Sequence, residues 1–195
     1  MTREGRTPRR AWLLLLALSL AATDGARVSA HEVETNRLTL VLRDERHVSI
    51  TYYIDYPTAL HRALAPASPF NEFIVAHSAM PLPELRKALS RAEALLETQT
   101  QITAASSPLR IGSWKWPEAA RAQTLLREVA MAGLVDPTGH AHMPPLEVRA
   151  EGLASRAITA LDVSLSEALG NVIVVSYRPR QTAIGAGVKS VRVTF

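Results

Sequence analysis

Cysteine is absent from this chain of 195 residues, which excludes disulfides, thiolate metal ligands and thiol nucleophiles. Aromatic residues are scarce, at 5% of the sequence. Long apolar runs are missing too, because the clearest one, residues 11–22, falls well short of the roughly 20 residues that a membrane-spanning helix needs. The fold must therefore depend on an aliphatic core without covalent staples.

Several catalytic motifs are also missing. The chain has no Gly-x-Ser-x-Gly elbow and no His-Glu-x-x-His helix, and Gly185-Ala186-Gly187 lacks the third glycine of a pyrophosphate-binding loop. Three carboxylates, those of Asp55, Glu72 and Asp162, are far apart in sequence and meet only if folding brings them together. We therefore expect a protein that is not an enzyme.

The first 30 residues have the composition of an export signal. A basic start is followed by the apolar run of residues 11–22 and then by a polar end. Val28 and Ala30 are compact enough for the pockets of a signal peptidase, so the predicted cut leaves His31 as the new N-terminus. General secretion is the expected route, and Arg9-Arg10 makes twin-arginine export the alternative.

Cleavage would leave a single exported domain of residues 31–195, in the periplasm or secreted, with no stable transmembrane segment. Its 165 residues are enough for one core. The leader holds five arginines and two acidic residues, so the net charge of +4 falls to +1 after processing. That balance gives no reason to expect a nucleic-acid partner.

Apolar periodicity predicts a hairpin followed by helices. Residues 37–43 and 47–55 alternate in polarity around a short polar turn, as in two antiparallel strands. Residues 58–64 form a short helical piece between prolines. Longer helices are expected over residues 83–98 and 117–132, each with an apolar stripe at three- and four-residue steps. Gly133 is the expected stop of the last one and residues 108–116 an intervening strand.

Strands return after the proline-rich loop of residues 136–145. They are expected over residues 146–150, 158–165, 172–177 and 188–195. Val172 to Val175 is continuously apolar, which predicts a strand buried on both faces. The fold class is therefore α+β: an antiparallel β-sheet or sandwich with an inserted helical segment at about residues 58–134.

His31 is the main candidate for a metal site. As an N-terminal residue it would offer an α-amine and an imidazole as one chelate, which suits copper or nickel. His140 or His142, two residues apart in the loop, would add a third nitrogen, and Glu32 could modulate the site. The alternative is that these histidines are simply exposed residues without a metal.

Other candidates carry weaker patterns. His47 and His77 are possible replacements for the loop histidines, whereas a single helical histidine such as His61 is usually structural. Trp114 and Trp116 lie on one face of the predicted strand, where they are either core residues or a platform for a sugar ring. Core packing is the commoner role for alternating tryptophans.

Two stretches carry a resemblance to a known family. His31-Glu32-Val33 with Leu38-Thr39-Leu40 directly after the leader resembles the start of the extracytoplasmic domain of HupE/UreJ-like membrane proteins, and Val174 to Gln181 is similar to its closing strand. The resemblance covers the two ends of residues 31–181, whereas the family's transmembrane bundle does not follow here. It implies a stand-alone relative concerned with nickel or cobalt, with a ligand role for His31 and Glu32 only.

Three functional hypotheses follow. The first is an exported, non-enzymatic protein that binds a transition metal or assists a membrane metal transporter. The second is an interaction module that docks to an envelope protein, without metal, through an exposed sheet edge or the helical segment. The third is an oxidative copper enzyme that acts on sugars and uses Trp114 and Trp116 as its platform.

Overall fold

The predicted hairpin forms the centre of the main sheet. The structure, a computed structural model, describes residues 36–135 and 145–179. Strand β1 (Asn36–Leu42) pairs antiparallel with β2 (His47–Ile54), with Leu40 opposite Ile50. Their alternation places one apolar set on the core side of the sheet: Leu38, Leu40, Val48, Ile50, Tyr52 and Ile54 are all buried. The strand prediction for this region is confirmed.

Three helices follow the hairpin. Helix α1 (Tyr56–Leu64) begins at Asp55, whose carboxylate accepts a hydrogen bond from the Thr58 amide. Helix α2 (Phe70–Ala79) and helix α3 (Leu82–Gln99) each begin after a proline, which supplies a suitable φ. The predicted stripe of α3 is buried and includes Leu85, Leu89, Ala92 and Leu96.

Three short strands then lie between α3 and the next helix in the chain. Strands β3 (Gln101–Ala104) and β4 (Ser107–Pro108) form a small hairpin, and β5 (Arg110–Lys115) follows. Helix α4 (Ala119–Val135) passes through Gly133, so the predicted stop at that residue was wrong. Glycine weakens a helix without preventing helical backbone, so the helix continues.

The last described elements complete two sheets. These are β6 (Leu146–Leu153), β7 (Asp162–Ser164), a 3₁₀ turn (Glu167–Leu169) and β8 (Val172–Tyr177). The strand predicted over residues 158–165 is reduced to β7, and the strand predicted over residues 188–195 lies outside the described residues.

The described strands form a five-stranded sheet in the order β5-β6-β2-β1-β8 and a three-stranded sheet in the order β4-β3-β7. Within the larger sheet only β1 and β8 pair in parallel. Buried residues of both sheets and of all four helices belong to one hydrophobic cluster, so the described chain has a shared core and an α+β fold. Between residues 58 and 134 the chain contributes three strands as well as helices, and β5 joins the larger sheet.

The Asn36 side chain links the start of β1 to two other elements by hydrogen bonds. Its side-chain amide donates to the Leu169 carbonyl at 2.5 Å, and its side-chain oxygen accepts from the Asp55 amide at 2.7 Å. One side chain thus holds β1, the start of α1 and the 3₁₀ turn before β8 together. This network fixes the position at which β8 enters the sheet.

Candidate functional site

Strand β8 is the most exposed apolar element of the larger sheet. Ile173, Val174 and Tyr177 have 54%, 48% and 58% of their surface exposed, respectively. Since β8 pairs with β1 alone among the described strands, it lies at an edge of the described sheet. The prediction that this strand is buried on both faces was therefore wrong.

The physical reason lies in the pairing of β8. It runs parallel to β1, with Leu38 opposite Val174 and Thr39 opposite Val175. A continuous apolar run is typical of strands in the middle of a parallel sheet, where helices cover both faces. Here the apolar run forms an edge strand of the described sheet, so aliphatic side chains of β8 are exposed. An exposed, apolar edge strand is a surface on which another strand can pair.

A groove lies beside β8 on the core side of the sheet, with a cavity volume of about 440 Å³. We call it the β8 groove. Its walls come from β1, β2, β8 and the chain that leads into β7, and they consist of Leu40, Leu42, Val48, Ile158, Thr159, Ala160, Leu161, Val163, Val174, Ser176, Tyr177 and Arg178. Most of these side chains are aliphatic, and Arg178 contributes the single full charge among them. The groove can therefore accept apolar side chains.

Backbone hydrogen bonds hold the outer wall of the β8 groove. The Ala154 amide donates to the Arg46 carbonyl at 2.9 Å, and the Ile158 amide donates to the Glu45 carbonyl at 2.7 Å. These bonds attach the chain after β6 to the turn between β1 and β2. Ile158 is buried as a result, and the wall is anchored to the sheet.

The two tryptophans pack within the protein instead of forming an open platform. The rings of Trp114 and Trp116 stack with centroids 5.8 Å apart, and Trp114 also stacks on Tyr52 at 6.0 Å. The Trp116 indole N–H donates to Glu97 Oε1 at 2.6 Å. Both indoles are half-buried against the core, in agreement with the core interpretation. Because the rings of Tyr52, Trp114 and Trp116 stack on one another, less of their aromatic faces is left to contact a sugar.

Two carboxylates of α3 lie beside these aromatic rings. Tyr56 donates its hydroxyl proton to Glu93 Oε1 at 3.4 Å. Burial raises the pKa of Glu93; the Tyr56 hydrogen bond opposes that shift, and the charge of Glu97 adds to it. The described residues contain no group of three or more His, Asp or Glu side chains placed to hold a metal ion.

The four residues predicted to bind metal, His31, Glu32, His140 and His142, lie outside the described residues. The same holds for Gly185-Ala186-Gly187. The structure therefore leaves the predicted metal site as a prediction.

The three described histidines all make local contacts. His47 bonds Asp44 through Nδ1 at 2.6 Å, and His61 bonds the Ser68 carbonyl through Nε2 at 2.8 Å. His61 also packs edge-on against Phe70 and Phe73, with centroids 5.4 and 5.2 Å away, as expected for a structural histidine.

His77 has a defined hydrogen-bonding state. Its Nδ1 lies 2.8 Å from the Phe73 carbonyl, which can only accept, so Nδ1 carries a proton. The imidazole stacks on the Phe73 ring with centroids 3.9 Å apart. Its Nε2 is therefore the ring nitrogen that remains for a ligand.

The described residues form an α+β fold with an exposed apolar edge strand beside the β8 groove. No family model matches the chain, and neither the curated proteins nor the solved structures contain a match to it. Within the described ranges no helix combines the length and the apolar character needed to cross a lipid bilayer.

Proposed function

We propose that this chain is an exported, non-enzymatic binding protein that docks to an envelope protein through β8 and the β8 groove. The observation that supports this function best is the exposure of Ile173, Val174 and Tyr177 beside an aliphatic groove. Apolar surface gathered in one place is typical of a contact site for another molecule.

The occupant we propose is an extended, apolar segment of the partner. Such a segment adds to a sheet edge by backbone hydrogen bonds and gains specificity from pockets for alternate side chains. Along β8, Val174 and Ser176 line the groove, whereas Ile173 has the opposite orientation because side chains alternate in a strand. A bound segment would therefore insert every second side chain into the groove.

Site-specific cross-linking in the native compartment tests the docking. A photoreactive amino acid replaces Ile173 in one variant and Val174 in another, and Glu128, which is exposed on α4, in a control. We expect one adduct of the same mass from both β8 positions, none from position 128, and loss of the position-173 adduct when Val174→Glu is added. Equal adducts from all three positions, or none from β8, would contradict the proposal.

Metal binding is the second candidate function, and the leader-like sequence that ends at Ala30 supports it. A processed chain would carry the His31 chelate, with His140 or His142 as a further ligand and Glu32 nearby. Copper or nickel would be the expected metal. The protein would then bind the ion itself or assist a membrane metal transporter.

Native mass spectrometry of the exported protein tests the metal hypothesis, with Cu(II) or Ni(II) added to the natural chain and to a His31→Ala variant. A mass that begins at His31, with one metal lost in the variant, is the expected result. A different N-terminus, or no retained metal on a chain that begins at His31, would remove this candidate and leave the docking proposal unaffected.

A further inference from the structure

A second groove, with four charged residues among the nine that line it, lies where α2 ends and α3 begins, with a cavity volume of about 930 Å³. We call it the α3 groove. It is lined by His77, Met80, Pro83, Glu84, Arg86, Lys87, Ala88, Ser90 and Arg91. Three permanent cations therefore face one carboxylate in this groove, so the local charge is positive whatever the state of the histidine.

The cations of the α3 groove are not neutralised within the described residues. Arg86, Lys87 and Arg91 are exposed, and none of them makes an ion pair with a carboxylate of the described chain. Two other arginines make hydrogen bonds: Arg43 donates to Ser49, and Arg127 donates to the Ser78 carbonyl. No ion pair within the described ranges therefore offsets the positive charge of the groove.

Helix geometry makes this cluster unfavourable for the helix itself. Lys87 and Arg91 are one turn apart on α3, where like charges repel each other and lower helix stability. A carboxylate at either position would reverse the sign of that interaction. An anion bound between Lys87 and Arg91 would relieve the repulsion between these two side chains.

The remaining lining indicates what kind of anion fits. Met80 and Pro83 add apolar surface, and His77 offers Nε2 because Nδ1 is bonded to the Phe73 carbonyl. The cations follow α3 over more than one turn, a span of about 7 Å from Arg86 to Arg91. A single phosphate would reach only part of that row, whereas a peptide with spaced carboxylates and apolar side chains matches all of it.

We propose that the α3 groove binds an acidic segment of a protein partner. This inference rests on the proposed docking function and specifies the partner's chemistry: carboxylates beside Arg86, Lys87 and Arg91, and an apolar side chain near Met80 and Pro83. Charge complementarity of this kind accelerates association and selects among partners.

A fluorescent peptide of alternating glutamate and leucine is the probe, and fluorescence anisotropy with the full exported chain is the readout. The test variant is Lys87→Glu/Arg91→Glu. The control is Arg110→Glu/Arg156→Glu, which changes two exposed arginines outside the groove and alters the net charge equally. Circular dichroism verifies that both variants are folded.

We expect the peptide to bind the natural chain and the control variant alike, and to bind the test variant about tenfold more weakly, as reversing two partly screened charges implies. Binding should also weaken as salt is added. Equal weakening in both variants, or no peptide binding, would overturn the inference. So would displacement of the peptide by inorganic phosphate, or preferential binding to phosphatidylglycerol vesicles.

The experiments distinguish failure of the docking function from failure of the α3 groove inference. Adducts from β8 without peptide binding would overturn the α3 groove inference alone. Absence of both would overturn the docking function as well.

Discussion

Asp44 shows how one residue sets the turn between the two central strands. Its Oδ1 accepts from the amides of Arg46 and His47, at 2.7 and 2.9 Å, and its Oδ2 bonds the His47 ring. The bond from the Arg46 amide contributes most to lowering the pKa of Asp44 from its ordinary value of 3.8 to about 2, and the His47 contacts add to it. The ionised carboxylate is therefore the form that the folded turn prefers.

Replacement of Asp44 should change the pH dependence of stability. A lowered folded-state pKa contributes stability that is present above the unfolded pKa of 3.8 and is lost as the pH falls through about 2. We expect the natural chain to exceed Asp44→Asn in free energy of unfolding at neutral pH, and the difference to shrink between those two pKa values. Urea unfolding over that pH range measures it, and a constant difference would contradict the assignment.

Tyr52 is buried with a hydroxyl that has no hydrogen-bond partner among the described residues. Burial raises its pKa to about 12. The Thr100 hydroxyl opposes that shift, but it donates its own proton to the Leu96 carbonyl at 2.8 Å. An unsatisfied buried hydroxyl costs free energy that the stacking of the ring on Trp114 must offset.

Removing that hydroxyl should not harm the fold. We expect Tyr52→Phe to leave the free energy of unfolding unchanged or to raise it by about 1 kcal/mol, because no hydrogen bond is lost. Tyr56→Phe is the matched control, since Tyr56 donates to half-buried Glu93, and it should lose about 1 kcal/mol. Denaturant unfolding of both variants measures these changes. A large loss of unfolding free energy in Tyr52→Phe would show that the Tyr52 hydroxyl is hydrogen-bonded.

At the scale of elements, periodicity predicted the long helices and the central hairpin because their apolar residues recur on one face. It missed the hairpin of β3 and β4. That hairpin turns at Ala105 and Ser106, whose φ values are 48° and 63°. A two-residue turn with both φ positive normally carries Asn-Gly, so Ala-Ser gave no turn signal in the sequence.

The positive φ values of Ala105 and Ser106 predict a substitution that stabilises the fold. The double variant Ala105→Asn/Ser106→Gly should raise the free energy of unfolding by about 1 kcal/mol, because both new residues adopt positive φ more readily. Thermal unfolding of this variant checks the expectation. Ala157→Asn/Thr159→Gly, at exposed positions outside the turn, is the control and should give no gain. Equal gains in both would contradict the turn assignment.

At the scale of the whole molecule, the sequence predicted an α+β fold but not the order of its strands. Periodicity indicates which face of a strand is apolar, but not which distant strand lies beside it. The continuous apolar run from Val172 to Val175 predicts a strand buried on both faces, but its parallel pairing with β1 leaves it at the edge of the described sheet. The candidate docking site follows from that pairing, which local sequence could not supply.

The β8 groove also combines residues from distant parts of the chain. Leu40 and Val48 come from the first hairpin, Leu161 and Val163 from the chain around β7, and Val174 from β8. None of these residues belongs to a motif, so composition and spacing gave no signal for the groove.

Amide hydrogen exchange tests the proposed docking most directly. It is measured on the chain alone and in complex with the partner recovered by cross-linking at position 173. Binding should slow exchange at alternate amides between Val172 and Tyr177, because only every second N–H of a strand points toward a new neighbour. Uniform exchange along β8 in both states, with protection elsewhere on the chain, would contradict it.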